Sequence, residues 1–325
     1  MSVKIALLGF GTVGKGTYQA LTENKNTIFE KTGVEIEIAK ILEKNPAAVN
    51  CGLAPKILFT QDYVSILNDP EIKIVAEMMG GIEPASEFML MALRAGKSVV
   101  TPNKAAVAAN YDRLHLEAER NNVQLRYEAS VGGAIPIINT IQDSLVANKI
   151  TKIQGIVNGT TNYILTKMEE EDLSYEAALT QAQEKGFAEH DPTADVEGID
   201  SANKLSILIA EAFGTYVKPD DIPRTGITGV TKEDIAKAKA SNQKIKLIAE
   251  AYLDRDGKLV CSVSPQIISD KFMLAQVKYE FNGILISCNM ADELFFYGRG
   301  AGMYPTGSAV AGDITEIAKW LEGKA

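Results

Sequence analysis

The sequence predicts a doubly wound parallel α/β sheet followed by a second α+β region. Three observations carry this. Short apolar runs alternate with helix-period segments up to about residue 130, the pattern of a parallel sheet with helices on both faces. The first apolar run ends in "GFGTVG", a glycine-rich turn between the first strand and the first helix. After Ser130 the alternation stops: "VGGAIPII" breaks it with glycine and proline, and helical runs and hairpin-like strands follow.

The elements follow in chain order. "VKIALLGF" reads as a buried parallel strand, continuously apolar and ended by glycine. A helix is expected from Thr12 to about Thr22. "VEIEIAKIL" is a second strand and "IKIVAEMM" a third; a helix from Pro84 to Ala95 is closed by Gly96. "KSVVTPN", a helix from about Lys104 to Arg120 and the strand "VQLRYEAS" complete a first domain, residues 1–130. Within residues 131–302, helices dominate 159–213. "QKIKLIAEAYLDRDGKLVCSVSP" then reads as two strands joined at Asp-Arg-Asp-Gly, a hairpin signal. "FNGILISC" and "ELFFYGRG" add strands to a mainly antiparallel sheet. The amphipathic helix in "SAVAGDITEIAKWLEG" places residues 303–325 back against the first domain.

Composition excludes several classes of function. A net charge of -9, without a basic block, argues against nucleic acid or an anionic membrane as partner. No apolar run has the length of a membrane span. The cysteines Cys51, Cys261 and Cys288 fit no metal spacing and read as buried thiols in a reducing cytoplasm. With only His115 and His190, a multi-histidine zinc site is excluded.

Chemistry concentrates in a few segments. In "GFGTVG", Gly9, Gly11 and Gly14 suit a tight turn, a close backbone approach to a pyrophosphate, and tight helix–strand contact. This is a Rossmann-type dinucleotide site, with the phosphates at the helix N-terminus. At the end of the second strand, "ILEKNP" leaves two readings open: Glu43 would accept a ribose hydroxyl of NAD, and Lys44 would meet the 2′-phosphate of NADP. "TPNKAAV" puts Lys104 beyond the carboxyl end of a strand, where ligands sit in open parallel sheets. "GIVNGTTNYIL" supplies Asn158 to Asn162, a polar turn with more capping residues than one helix needs. Most informative is "KGFAEHDPTADVEGIDSANK", where Glu189, Asp191, Asp195, Glu197 and Asp200 precede Lys204. Asp200 and Lys204 share a face of a helix whose buried stripe is Leu205, Leu208, Ile209 and Phe213. An exposed i,i+4 pair explains neither the acids nor the Gly/Pro-shaped loop. A site that binds a cationic amine and moves one proton explains both.

Along essentially its whole length the chain resembles homoserine dehydrogenases, through "GFGTVG", "TPNKAAV", "YEASVGGAIPII", "GIVNGTTNYIL", "AQEKGFAEHDPTADVEGIDSANK" and "GRGAGMYPTGSAV" in order. The resemblance implies NAD(P)-dependent interconversion of L-homoserine and L-aspartate 4-semialdehyde in threonine and methionine biosynthesis, by a cytoplasmic homodimer joined through the second domain. It implies Lys204 as proton donor and acceptor, Lys104 beside the nicotinamide and substrate, and Glu189 and Asp200, supported by Asp195, as homoserine ligands. Gly9, Phe10, Gly11, Thr12, Val13, Gly14, Lys44, Gly80, Thr101, Lys104, Gly186 and Gly302 would bind the cofactor. Backbone oxygens at Glu128, Val131, Gly133 and Ile135 are similar to a sodium-binding turn in that family, and Gly132, Gly133 and Pro136 suit a turn of unusual dihedrals. Lys44-Asn45 stands where many relatives carry a basic residue followed by an acid, so NAD and NADP both remain open. The sequence ends just past the helix ending near Trp320, without the C-terminal regulatory domain of many relatives, so either a short form or a truncated chain is expected.

Two rivals explain less. A phosphorylating aldehyde dehydrogenase needs an activated thiolate, and no cysteine here sits in a glycine-shaped loop or at a helix start. A non-catalytic nucleotide sensor on the same fold has no use for Lys104, Lys204 and the acid-rich loop.

Overall fold

Mostly hydrophobic runs at residues 5–8, 74–77 and 98–100 form strands buried on both faces. The computed structural model describes residues 2–50 and 52–324, which separate into two units, 1–134 with 301–325, and 135–300.

In the first unit, β1 (Ser2–Leu8), α1 (Thr12–Glu23), α2 (Lys25–Thr32), β2 (Glu35–Leu42), α3 (Pro46–Val49), β3 (Phe59–Thr60), α4 (Tyr63–Leu67) and β4 (Ile72–Glu77) are followed by α5 (Ala85–Arg94), β5 (Ser98–Val100), α6 (Lys104–Ala109), α7 (Tyr111–Arg120) and β6 (Leu125–Arg126). The strands pair in the order β3-β2-β1-β4-β5-β6, and every pairing is parallel. Ile5 and Leu7 face one apolar layer while Ala6 and Leu8 face the other, so helices cover both sides. The order reverses between β1 and β4, and a ligand crevice opens at such a switch point.

The second unit has β7 (Ile150–Ile156), α8 (Gly159–Glu171), α9 (Tyr175–Glu184), α10 (Thr193–Val196), α11 (Ile199–Phe213), α12 (Lys232–Ala240), β8 (Gln243–Leu253), β9 (Leu259–Ser269), β10 (Phe281–Cys288) and β11 (Glu293–Arg299). Its sheet runs β11-β10-β7-β8-β9, antiparallel throughout. The β8–β9 hairpin turns where Asp254 accepts N–H bonds from Asp256 and Lys258 on one carboxylate oxygen and Gly257 takes φ 77°. The last helix, α13 (Met303–Lys324), returns to the first unit.

Local chemistry changes several expected elements. The helix expected from Lys104 to Arg120 is broken at Asn110, whose backbone leaves the helical region at φ -128°, ψ 25°. The strand expected in "VQLRYEAS" keeps only Leu125 and Arg126, because Glu128–Ser130 tightens into a 3-10 turn. Phe213, expected to be buried, is half-buried at the end of α11. Cys261 and Cys288 are free and half-buried, not enclosed; burial still pushes both thiols up. Cys51 lies outside the described residues.

Two glycines let α13 lie against α1. A Cβ on Gly16 would overlap the Met303 carbonyl, and one on Gly307 would overlap the backbone of Gly16 and Thr17. Backbone-to-backbone contact leaves no side chain to yield. Gly307→Ala should therefore destabilise the first unit by about 1–3 kcal/mol, read in a thermal melt as a fall of roughly 2–4 °C per kcal/mol. An unchanged Tm would show that the crossing tolerates a methyl group.

Candidate functional site

The first unit offers a nucleotide crevice at the carboxyl edge of its sheet. Gly9 takes φ 93°, and a Cβ there would come within 2.9 Å of the Met78 carbonyl oxygen. Gly14 has no room for a Cβ because the Gly9 carbonyl occupies the space, whereas a Cβ on Gly11 meets nothing within 4 Å. Gly9 and Gly14 thus serve the turn, and Gly11 keeps a surface clear. Gly11 caps α1, and the helix's first backbone hydrogen bond runs from Lys15 N–H to the Gly11 carbonyl. The N–H groups of Thr12, Val13 and Gly14 therefore have no intrahelical acceptor, which suits an anion. Phe10 contributes only its backbone: its ring is buried, edge-on to Tyr18 and Phe59.

A cavity of about 510 Å³ runs from Gly9 and Gly11 past Glu43, Lys44 and Gln61 to Tyr63, Gly80 and Phe88. Glu43 is fixed in its wall. One carboxylate oxygen accepts the Phe10 N–H at 3.1 Å and the other the Asn45 N–H at 3.2 Å. Lys44 is exposed on the same rim.

Glu77, which the sequence reading passed over, orders the next part of the edge. It is fully buried, and one oxygen accepts the N–H groups of Met79 and Gly80 while the other accepts the Thr101 hydroxyl at 2.7 Å. Its signal was an acid ending a strand that is otherwise apolar on its buried positions. Asn103 caps α6 and donates to the Gly81 carbonyl, which places half-buried Lys104 at the first position of that helix. The expected cofactor residues from Gly9 to Gly14, Lys44, Gly80, Thr101 and Lys104 thus come to one sheet edge, with Thr101 acting through Glu77. Gly302 also belongs to this unit, at φ 125° just before α13.

The second unit concentrates the acids and Lys204. The chain leaves β7 at Val157 and Asn158. Asn158 caps α8: its carboxamide oxygen accepts the Thr161 N–H at 2.9 Å and hydroxyl at 3.0 Å. Its NH2 group donates to Asp195 at 2.7 Å and Asp200 at 2.9 Å. Lys204, one turn along α11 from Asp200, donates to that same Asp200 oxygen at 2.7 Å and to the Val157 carbonyl at 2.6 Å. Lys204 and Asp200 are both buried. Burial above all, and the negative charge of Asp200 with it, push the carboxyl of half-buried Asp195 above its ordinary range, against the opposing pull of the hydrogen bond from Asn158.

Glu189 is exposed on the loop after α9; its backbone carbonyl accepts a bond from Gln183. Gly186, at φ 74°, closes α9 in the same loop. Buried Lys246 on β8 was not anticipated. It donates to Asn162 at 2.8 Å and the Val277 carbonyl at 2.7 Å, and burial lowers its pKa to about 7. Strand alternation alone gives no sign of it, because β8 is an interior strand covered by α8. Of the expected sodium ligands, Glu128 and Val131 are buried beside Gly132 and Gly133, at φ 72° and 59°. Ile135 begins the second unit, its carbonyl accepting the Ile137 N–H. Among the described residues no group of three His, Cys, Asp or Glu side chains is arranged to hold a metal, and no helix is long and apolar enough to cross a membrane.

Comparison with known proteins places both units. Residues 9–128 match the family model described as "Homoserine dehydrogenase, NAD binding domain", and residues 136–315 match "Homoserine dehydrogenase". The chain is 39% identical over 319 residues to a homoserine dehydrogenase of Bacillus subtilis, covering 98% of this chain and 73% of that protein. A solved homoserine dehydrogenase from Thiobacillus denitrificans superposes with a TM-score of 0.96 at 36% identity, over 99% of this chain and 74% of that one. A hyperthermophilic archaeal homoserine dehydrogenase solved in complex with NADPH superposes at 0.82 with 28% identity, over 98% of each chain.

The glycine geometry separates turn from ligand contact. Gly11→Val should fold with a Tm near that of the parent protein, because the added side chain meets only open space, and should lose dinucleotide binding in a calorimetric titration if a pyrophosphate lies there. Gly14→Ala should instead lower Tm. Undiminished binding by Gly11→Val would remove the phosphate role from this turn.

Proposed function

The chain belongs to the homoserine dehydrogenase family, and on that premise we propose how its residues divide the interconversion of L-homoserine and L-aspartate 4-semialdehyde. The observation that carries the reading is the buried Lys204 amine, held between the Val157 carbonyl and Asp200.

Oxidising a primary alcohol removes a proton from oxygen and a hydride from carbon. The nicotinamide, when bound, supplies the hydride chemistry. Lys204 takes the hydroxyl proton in one direction and returns it to the aldehyde oxygen in the other, as a positioned general base and acid. Asp200 holds the amine in place. Asp200 was expected among the homoserine ligands, but its oxygen is engaged by Lys204, so Glu189 and Asp195 are assigned the substrate ammonium, bound by charge-assisted bonds. The raised carboxyl of Asp195 supports its part: a charge disfavoured by burial and by Asp200 gains most from an arriving cation. Lys104 lies beside the nicotinamide and substrate, and its place at the carboxyl edge of the first unit's sheet supports this.

The residues that would hold the dinucleotide are the Gly9–Gly14 turn for the pyrophosphate, Glu43 for the adenine ribose, and Gly80, Thr101, Gly186 and Gly302 toward the nicotinamide. Open space at Gly11 and the uncommitted first-turn N–H groups of α1 fit that group. Glu43 favours NAD over NADP. Its carboxylate is fixed by two backbone N–H groups in the cavity wall, accepts from a ribose hydroxyl and repels a 2′-phosphate, and Lys44 offsets only part of that repulsion. The carbonyls of Glu128, Val131, Gly133 and Ile135 are the proposed sodium donors, and the left-handed Gly132 and Gly133 beside them support that reading; such an ion would order the turn. The enzyme acts as a cytoplasmic homodimer through its second unit, whose edge strands carry the exposed Ile267 and Tyr297.

Two measurements test this. Arginine keeps a cation but cannot release its proton, so Lys204→Arg should bind both ligands and lose about two or more decades of kcat. Near-normal kcat would reduce Lys204 to an electrostatic role and move the acid to Lys104. In side-by-side initial rates, kcat/KM for NAD+ should exceed that for NADP+ by about tenfold or more, the scale of one bond to a charged group. Glu43→Ala should narrow that ratio. A parent enzyme that prefers NADP+ would overturn the assignment of Glu43.

A further inference from the structure

Capping explains half of what the Asn158 side chain does. Its oxygen is committed to Thr161, and serine or aspartate would cap α8 equally well. Its NH2 group, turned the other way, donates one hydrogen to Asp195 and the other to Asp200. These acids lie 37 and 42 residues away in sequence, and two carboxylates brought together disfavour each other's ionisation. A neutral donor between them holds both without adding charge.

The same Asp200 oxygen also accepts from Lys204. Both of its in-plane acceptor directions are then in use, one by the amine and one by Asn158. Asp200 is tied to Lys204, while Asp195, at the half-buried end of the row, accepts from Asn158 and also has the Thr160 hydroxyl as a hydrogen-bond partner. The preceding residue, Val157, gives Lys204 its other acceptor. Two consecutive residues at the end of β7 therefore set the position of the amine and of both acids.

We infer that Asn158 is a positioning residue of the reaction, assigning Asp200 to the Lys204 amine and Asp195 to the substrate's ammonium. The inference rests on the role of Lys204 proposed above.

The test compares Asn158→Asp, Asn158→Ser and Lys204→Ala in the full-length enzyme, by kcat and KM for homoserine, pH profile and Tm. Asn158→Asp keeps shape and cap but turns a carboxylate oxygen toward Asp195 on α10 and Asp200 on α11. The added charge favours the Lys204 ammonium, so the limb on which a neutral amine is needed should move to higher pH. At neutral pH, kcat/KM should fall about tenfold or more, as for loss of a bond to a charged group. Asn158→Ser keeps the cap and removes the bridge; kcat/KM should fall about tenfold in a protein that still folds, with some loss of Tm from the two bonds removed, and this variant decides the matter if the aspartate variant fails to fold. Inactive Lys204→Ala beside Asn158 variants with parental kcat, KM and pH profile would leave Asn158 as a cap and overturn this inference alone. Active Lys204→Ala would overturn the reading of Lys204, and this inference with it.

Discussion

A lysine amine taken out of water must be given acceptors, and in this protein that requirement organises the second unit. An unpaired buried ammonium would cost several kcal/mol or shed its proton. Lys204 meets the requirement with a carboxylate one helical turn away and a carbonyl at the end of β7. The carboxylate stands in the first turn of α11, where the helix dipole favours it. Leu205, Leu208 and Ile209 are buried along α11, so the helix cannot rotate without exposing apolar surface. The pair is positioned by the core, which makes it suitable for moving a proton at a defined point.

The first unit works by the complementary rule of keeping backbone accessible. Glycine stands wherever a side chain would close the turn, and the helix that follows presents donors with no partner of their own. Two acids stabilise the edge around it. Glu43 fixes Phe10 and Asn45, and Glu77 fixes Met79, Gly80 and Thr101. An acid whose oxygens all hold backbone or hydroxyl groups is a rigid part of the wall, and rigidity is what a binding edge needs.

Much of this was legible in the sequence because the signals are local. The glycine turn, the hairpin at Asp254–Gly257 and the Asp200–Lys204 spacing each depend on a few adjacent residues. What escaped depends on neighbours distant in sequence. Asn158 read as part of a polar turn, and nothing near it shows that its NH2 group reaches two acids. Lys246 sits in an ordinary strand pattern, and its burial follows from the elements that cover β8. Glu77 read as the end of a strand, since its partners include a hydroxyl 24 residues away. The break at Asn110 was missed for the opposite reason: an unbroken helical period from Lys104 to Arg120 hid one residue whose backbone leaves the helix.

The central claim is that the Lys204 amine carries the proton. The most direct measurement is a titration of that amine by NMR in lysine-labelled enzyme, its signal identified by its absence from a Lys204-substituted variant and compared with the pH dependence of homoserine oxidation. The amine should lose its proton along the same limb on which turnover rises. An amine that stays fully protonated across the range in which the enzyme turns over would contradict it.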